Sequence, residues 1–357
     1  MLEIALPILI TVLIWWFSTG AILYIDGLPR RTQRWSFGVA TLLLLAALAV
    51  IWHTAGETST AGAYAAFIAV VVVWGWNELA FLTGTIVGAR REPCPPGATG
   101  WLRFRLATAA IIDHEIAIAL SGIAVVLLTY DAPNQVALWT FAVLWVMRLS
   151  AKINIFLGAP NIPEAFLPAH LSYLATYFRR RPMNALLPVS VTAATIVLVL
   201  MVVRAAEPAT TPFQALALLL PASMLALAIL EHWLMFLPIP STLLWKWGLV
   251  SHQRQAIDPA GRDGARLHSW EAPMLGAVDP GALKGVLDQV AIGQFGQVIS
   301  VSGTSRSEDG WIRFLVENGR TELRPVAAHR FQPAFVTAVG RDFDAVKLGK
   351  ALAACAA

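Results

Sequence analysis

Glu78, His114, Glu115, Glu231 and His232 fall inside apolar stretches long enough to cross a bilayer. Ionisable groups in hydrocarbon are costly unless they find a partner, a wet cavity or a ligand. Three chemistries suit these residue types. Carboxylates and imidazoles projecting from several helices form transition-metal centres such as di-iron sites, where Glu-x-x-His spacing puts both groups on one helix face. Here His114-Glu115 and Glu231-His232 are adjacent, so the members of each pair point about 100° apart, and only one of each reaches a shared centre. A neutral imidazole is also a common metal ligand, which makes His114, His170 or His232 a candidate axial ligand to the magnesium of a bacteriochlorin, beside flat apolar side chains such as Trp74, Trp76 and Trp233. The third chemistry is neutralisation. Arg148 and Lys152 stand ready to form structural ion pairs with Glu78, Glu115 or Glu231, the usual answer to a buried carboxylate.

The elements that must position these residues follow from composition. Of 357 residues, 57% are hydrophobic and only 13% charged, against roughly 25% charged in soluble domains. An integral membrane protein is implied. Seven segments qualify as spans: 4–25, 35–52, 61–89, 105–130, 132–158, 185–203 and 213–240, each near or above the lower limit of about 17 residues. Arg30, Arg31 and Arg34 lie in the first connection, Arg90, Arg91 and Arg103 in the third, and Arg179, Arg180 and Arg181 in the fifth, with Lys246 and Arg254 after the last span. The second and fourth connections, around Glu57 and Asp131, carry no Lys or Arg, and the sixth only Arg204. By the positive-inside pattern, the amino terminus is outside and the carboxyl terminus cytoplasmic.

Met1-Leu2-Glu3 lacks the basic start of a signal peptide and the apolar run behind it is too long for one, so the first span reads as retained. Trp15, Trp16, Trp35, Trp52, Trp101, Trp245 and Trp247 read chiefly as interface anchors, Trp15 and Trp16 somewhat deeper. On this topology Glu78 precedes Ala89 by 11 residues, His114 follows Arg105 by 9 and Glu231 precedes Pro240 by 9. At 1.5 Å per residue, each lies roughly 13 to 17 Å from the cytoplasmic end of its span.

After Trp247 the composition turns polar. The fold class is therefore an all-α polytopic bundle of seven transmembrane helices (1–250), a linker (251–278) and a small soluble α+β domain (279–357). In the last, residues 281–292 read as a helix, 296–302, 311–317, 321–327 and 334–339 as strands with a hairpin at Glu317-Asn318-Gly319-Arg320, and 342–354 as a closing helix. His268 and His329 are isolated there, and no nucleotide-binding glycine pattern is present, so the tail reads as an interaction or regulatory module. Cys94 and Cys355 have no CxxC spacing and imply neither disulfide nor zinc. The net charge of +4 belongs to basic loops facing lipid head groups, and no nucleic-acid partner is implied.

The segment from Ser150 to Leu174 breaks a helix at Gly158 and Pro160, then continues as a short amphipathic piece with Phe166, Leu171, Leu174 and Phe178 ahead of Arg179-Arg180-Arg181, suited to the membrane surface. With Trp15-Trp16-Phe17-Ser18-Thr19-Gly20, the run Trp74 to Gly84, His114-Glu115, Met183 to Ala193 and Leu230-Glu231-His232-Trp233, it resembles the PuhE family of photosynthetic complex assembly proteins over residues 1 to about 250. The resemblance implies a multi-pass protein of the bacterial inner (intracytoplasmic) membrane. It would be linked to reaction-centre and light-harvesting assembly and to modulation of bacteriochlorophyll supply, with photosynthetic complex subunits or pigment-biosynthesis proteins as partners beside the lipid bilayer. No catalytic residue is carried over, and the tail lies outside the resemblance.

Two function classes follow. One is a scaffold or pigment-handling assembly factor without catalysis. The other is a metal-dependent membrane oxidoreductase acting on a tetrapyrrole or lipid, with iron or another transition metal held by Glu78, His114, Glu115, Glu231 and His232. A transporter is a weaker third, because no internal repeat is evident and seven spans do not divide into equal halves.

Overall fold

The computed structural model describes residues 2–355 apart from 163, 238–243, 252–267, 275, 318 and 327–333. Two compact units divide the chain, residues 1–255 and 256–357.

Among its described residues the first unit holds seven long apolar helices, each of sufficient length and hydropathy to span a membrane. They are α1 (Leu2–Asp26), α2 (Arg30–Thr54), α3 (Thr60–Leu82), α4 (Gly100–Leu128), α5 (Val136–Leu157), α6 (Leu186–Ala205) and α7 (Pro212–Leu234). Polar residues fix the starts: the Ser59 hydroxyl accepts from the Gly62 N–H ahead of α3, and Thr211 and Gln214 form a reciprocal capping box at α7, satisfying amides that would otherwise lack a partner.

The third span is shorter than its apolar run suggests. Instead of continuing to Ala89, α3 ends at Leu82, where Gly84 turns the chain with a φ of 75°, a conformation that costs glycine nothing. Residues 87–90 then lie along α4, the Val87 carbonyl accepting from the His114 N–H (3.0 Å) and the Arg90 N–H donating to the Ala109 carbonyl (3.2 Å). Glu78 consequently stands four residues from the end of its helix, and Glu231 stands three from the end of α7, which closes at Leu234 rather than Pro240. Both are about one turn from a helix end, and His114 stands fourteen residues into α4, which begins at Gly100, so the roughly 13 to 17 Å expected from the sequence holds for none of the three.

Burial follows the inverted logic of a lipid-facing bundle. Small and branched residues of α3, including Ala63, Ala66, Val70 and Val73, pack with Phe67 against Ile51, Ile118, Phe141 and Leu220, while Leu42, Leu127, Val146 and Leu200 point outward from their helices. Asn77 bridges α3 to α4 by donating to the Ser121 hydroxyl (3.0 Å), the kind of interhelical bond that membrane helices use in place of a hydrophobic driving force.

Between α5 and α6 the chain runs through two 3₁₀ turns, Glu164–Phe166 and Ala169–Tyr177. Arg103 fastens this stretch to the bundle, its guanidinium donating to the carbonyls of Phe156 (3.1 Å) and Tyr177 and lying 4.0 Å from the centre of the Phe156 ring. Arg90 reinforces it with an Nε–H bond of 2.8 Å to the Tyr177 hydroxyl. After α7, residues 244–251 return to α1: the Trp16 indole donates to the Leu244 carbonyl (2.8 Å) and the Trp245 indole to the Trp16 carbonyl (3.0 Å). Trp35, Trp52 and Trp101 are exposed, as interface anchors would be, whereas Trp245 is buried because its ring packs against Trp15 and Phe166.

The second unit is a five-stranded antiparallel sheet with two helices: β1 (His268–Pro273), α8 (Pro280–Ala291), β2 (Gly296–Ser307), β3 (Gly310–Glu317), β4 (Arg320–Val326), β5 (Phe335–Phe343) and α9 (Ala345–Ala353). The strand order is β1-β5-β2-β3-β4. Strand β1 occupies part of the stretch read as linker; its His268 to Pro273 pair with Gly340 to Phe335. The rest of that stretch between 252 and 267, His329 and Asn318 of the hairpin lie outside the described residues. Asp279 and Asp344 cap the helices by accepting from the Ala282 and Lys347 amides, which sets Leu283, Leu287, Leu348 and Leu352 onto Val301, Phe314, Val316 and Val336 of the sheet. Both cysteines are free thiols, and burial pushes the Cys355 thiol up from its ordinary value, which disfavours the thiolate.

Candidate functional site: a polar-walled cavity in the bundle

The adjacent pairs diverge in the bundle. On α4, Glu115 reaches the Lys152 ammonium of α5 at 2.5 Å, while His114 turns to Phe81, ring centres 4.5 Å apart. On α7, the Glu231 carboxylate accepts from the Trp15 indole of α1 at 2.8 Å, while His232 faces α5 and exchanges a hydrogen bond with the Ser150 hydroxyl at 2.9 Å. The other His232 nitrogen is 2.8 Å from the Ala228 carbonyl. Since a carbonyl only accepts, Nδ1 carries the proton and Ser150 donates to Nε2. Glu78 meets Arg148 at 2.9 Å. Arg148 and Lys152, one turn apart on α5, thus each take one acid.

Glu231 differs. Its hydrogen-bond partner is an indole, and no described Lys or Arg forms an ion pair with it. His114 differs in another way, being fully buried with neither ring nitrogen hydrogen-bonded among the described residues. His170 lies beside the Gly84 turn, where a Cβ built on Gly84 would come within 2.9 Å of its ring.

These groups do not form a metal-binding set. Among the described residues no three of His, Cys, Asp and Glu come together closely enough to hold an ion. Two of the carboxylates are occupied by cations, and His114 and His232 point to different neighbours. An axial bond from the cavity to a bacteriochlorin magnesium fits poorly as well. Of His114, His170 and His232, only His232 lines the cavity, and both of its nitrogens are engaged.

What the arrangement does enclose is a cavity of about 360 Å³ between α1, α3, α4, α5, α7 and the 3₁₀ stretch, within the size range of small-molecule sites. Most of its wall is apolar: Trp15, Trp74, Phe81, Met147, Phe156 and Phe178 are among the lining side chains. Glu78, Arg148, Lys152, Glu231 and His232 supply the ionisable part, and Ser18, Thr19 and Tyr177 add hydroxyls. Sequence reasoning missed three residues that shape it. Trp15 reads as an anchor, and its depth inside the span was the only sign of an interior role. Ser150 and Tyr177 carry no sequence signal, because their partners lie 82 and 87 residues away.

Residues 1–256 match a family described as a protein of unknown function, DUF3623. The chain belongs to the DUF3623 family. Over 256 residues it is 41% identical to a Rhodobacter capsulatus protein named as an uncharacterized 30.4 kDa protein in the puhA 5′ region, the match covering 71% of this chain and 92% of that protein. No solved structure matches the chain. The family match takes in all seven helices and the cavity and stops ahead of β1.

Proposed function

We propose that this DUF3623 protein is an assembly factor of bacterial photosynthetic membranes, a multi-pass protein of the inner (intracytoplasmic) membrane. It holds a lipophilic cargo while reaction-centre and light-harvesting complexes are built, or while bacteriochlorophyll is supplied to them. The observation that carries this reading is the cavity: an apolar, aromatic-rich chamber inside a membrane bundle, its charges largely neutralised by one another. Such a wall binds and orients a molecule taken from the bilayer. The photosynthetic context rests on the PuhE-like motifs, with support from the puhA-region name of the Rhodobacter capsulatus relative. The metal-dependent oxidoreductase alternative draws nothing from the geometry, because its proposed ligands are dispersed among separate partners. On the same reading residues 1–250 hold the cargo and residues 279–357 form a cytoplasmic partner-binding module.

Deletion and rescue in a phototrophic host test this. Loss of the gene is expected to reduce the near-infrared absorption of assembled complexes, with rescue by the wild type and by Trp35→Ala, whose ring is exposed. Ala151→Phe, which fills the cavity from α5, is expected to reach the membrane and fail to rescue. Full rescue by Ala151→Phe would remove the cavity from the function.

A further inference from the structure

Two acids, Glu78 and Glu231, and two cations, Arg148 and Lys152, line the cavity, but Lys152 is drawn to Glu115 outside that lining. Arg148 is committed to Glu78 and Lys152 to Glu115, two cations to two acids. Glu231 remains, lining the same cavity with an indole N–H on one oxygen and no cationic partner among the described residues. It also keeps accessible surface, so its carboxylate can be reached without dismantling either ion pair. A carboxylate beside apolar walls is stabilised most by a cation that arrives with its own apolar body, because a charge-assisted hydrogen bond is about twice as strong as a neutral one and strengthens further where water is scarce.

We propose that the cavity takes a lipophile with a cationic, hydrogen-bond-donating head, an ammonium or guanidinium on an apolar tail, and that Glu231 is the residue that selects it. The tail lies against Trp74, Met147 and Phe156, and the head meets the Glu231 oxygen not used by Trp15. The Trp15 bond orients the carboxylate, and His232, held by Ser150 and the Ala228 carbonyl, presents no competing charge donor. An anionic head would meet an unpaired carboxylate at this wall. A neutral head would leave that carboxylate without a counter-charge.

The inference rests on the cavity being a lipophile site, and the test separates the two. The full chain in a nonionic detergent is titrated with hexadecylamine, hexadecanol and hexadecanoate, followed by thermal shift and by native mass spectrometry of the bound adduct. The expected order is amine first, by about tenfold over the alcohol, with the fatty acid weakest. Glu231→Gln is expected to bring the amine level with the alcohol, whereas Glu57→Gln, in the α2–α3 connection, leaves the preference intact. Trp15→Phe, which frees the second carboxylate oxygen, keeps the amine preference. If Glu231→Gln does not fold, the three-probe order in the wild type still decides. Equal or tighter binding of the alcohol or the acid overturns the charge selection while leaving a lipophile site. Binding of none of the three, or binding unaffected by Ala151→Phe, overturns both.

Discussion

Helices α5 and α7 solve the same problem in opposite ways. The α5 helix carries cations, Arg148 and Lys152, and each neutralises an acid from another helix at salt-bridge distance. The α7 helix carries an acid and an imidazole, and both are met by neutral groups: the Trp15 indole, the Ser150 hydroxyl and a backbone carbonyl. Ion pairing makes a seam rigid and charge-neutral, because removing either partner strands the other. Neutral partners impose no such coupling. The α5 side is therefore the more tightly coupled, and the α7 side leaves Glu231 without an ion pair among the described residues.

The largest effect is expected where the α5 seam is cut. Lys152→Met leaves Glu115 without its cation, both side chains being under one-fifth exposed, and is expected to cost about 3 kcal/mol. Thermal unfolding in detergent reads this, and the double variant Lys152→Met/Glu115→Gln should recover most of the loss. His232→Phe comes next, stranding the Ser150 hydroxyl and the bond to Ala228, at about 1–2 kcal/mol. Glu231→Gln should change stability by less than about 1 kcal/mol, since the amide oxygen still accepts from Trp15. A loss as large as that of Lys152→Met would place Glu231 in the rigid seam and erase the contrast.

The smallest effect lies in the second unit, where the same kind of pair faces water. Lys284 and Asp288 meet at 2.7 Å with both side chains about half exposed or more, and the hydrogen bond from Lys284 holds the Asp288 carboxyl below its ordinary value. A depressed carboxyl adds stability above its unfolded value, near pH 3.9, and loses it as pH falls through the folded one. A carbon-13 titration of Asp288 should give a midpoint under that value, returning toward it in Lys284→Ala.

The seven helices are legible in the sequence because twenty-residue apolar runs have few other solutions in a bilayer, and each begins and ends within about five residues of its run except at the ends of α3 and α7. At α3 the apolar run continues through Ile86 and Val87 into a segment that lies on α4, so hydrophobicity marks burial there and not helix. Strand β1 is missed because its six residues pair with β5, far along the chain, and carry little alternation of their own. Residue types alone nominate the acids, imidazoles and cations of the candidate site. Which cation takes which acid depends on the order of helices around the bundle, and sequence does not encode that locally. The cavity is legible only as the space left between five helices and the 3₁₀ stretch.

The seam along α1 bears on how the protein is made. Trp15 and Trp16 bond to partners 216 to 229 residues later in the chain, and Trp247 lies where any side chain on Gly20 would stand. Helix α1 is therefore made before the segments that bond to Trp15 and Trp16, since chains emerge amino terminus first. Until α7 follows, the cavity lacks the wall that carries Glu231. The cavity is thus completed only once residues 212–234 have followed the other helices, and a chain stopped ahead of them leaves it open on that side.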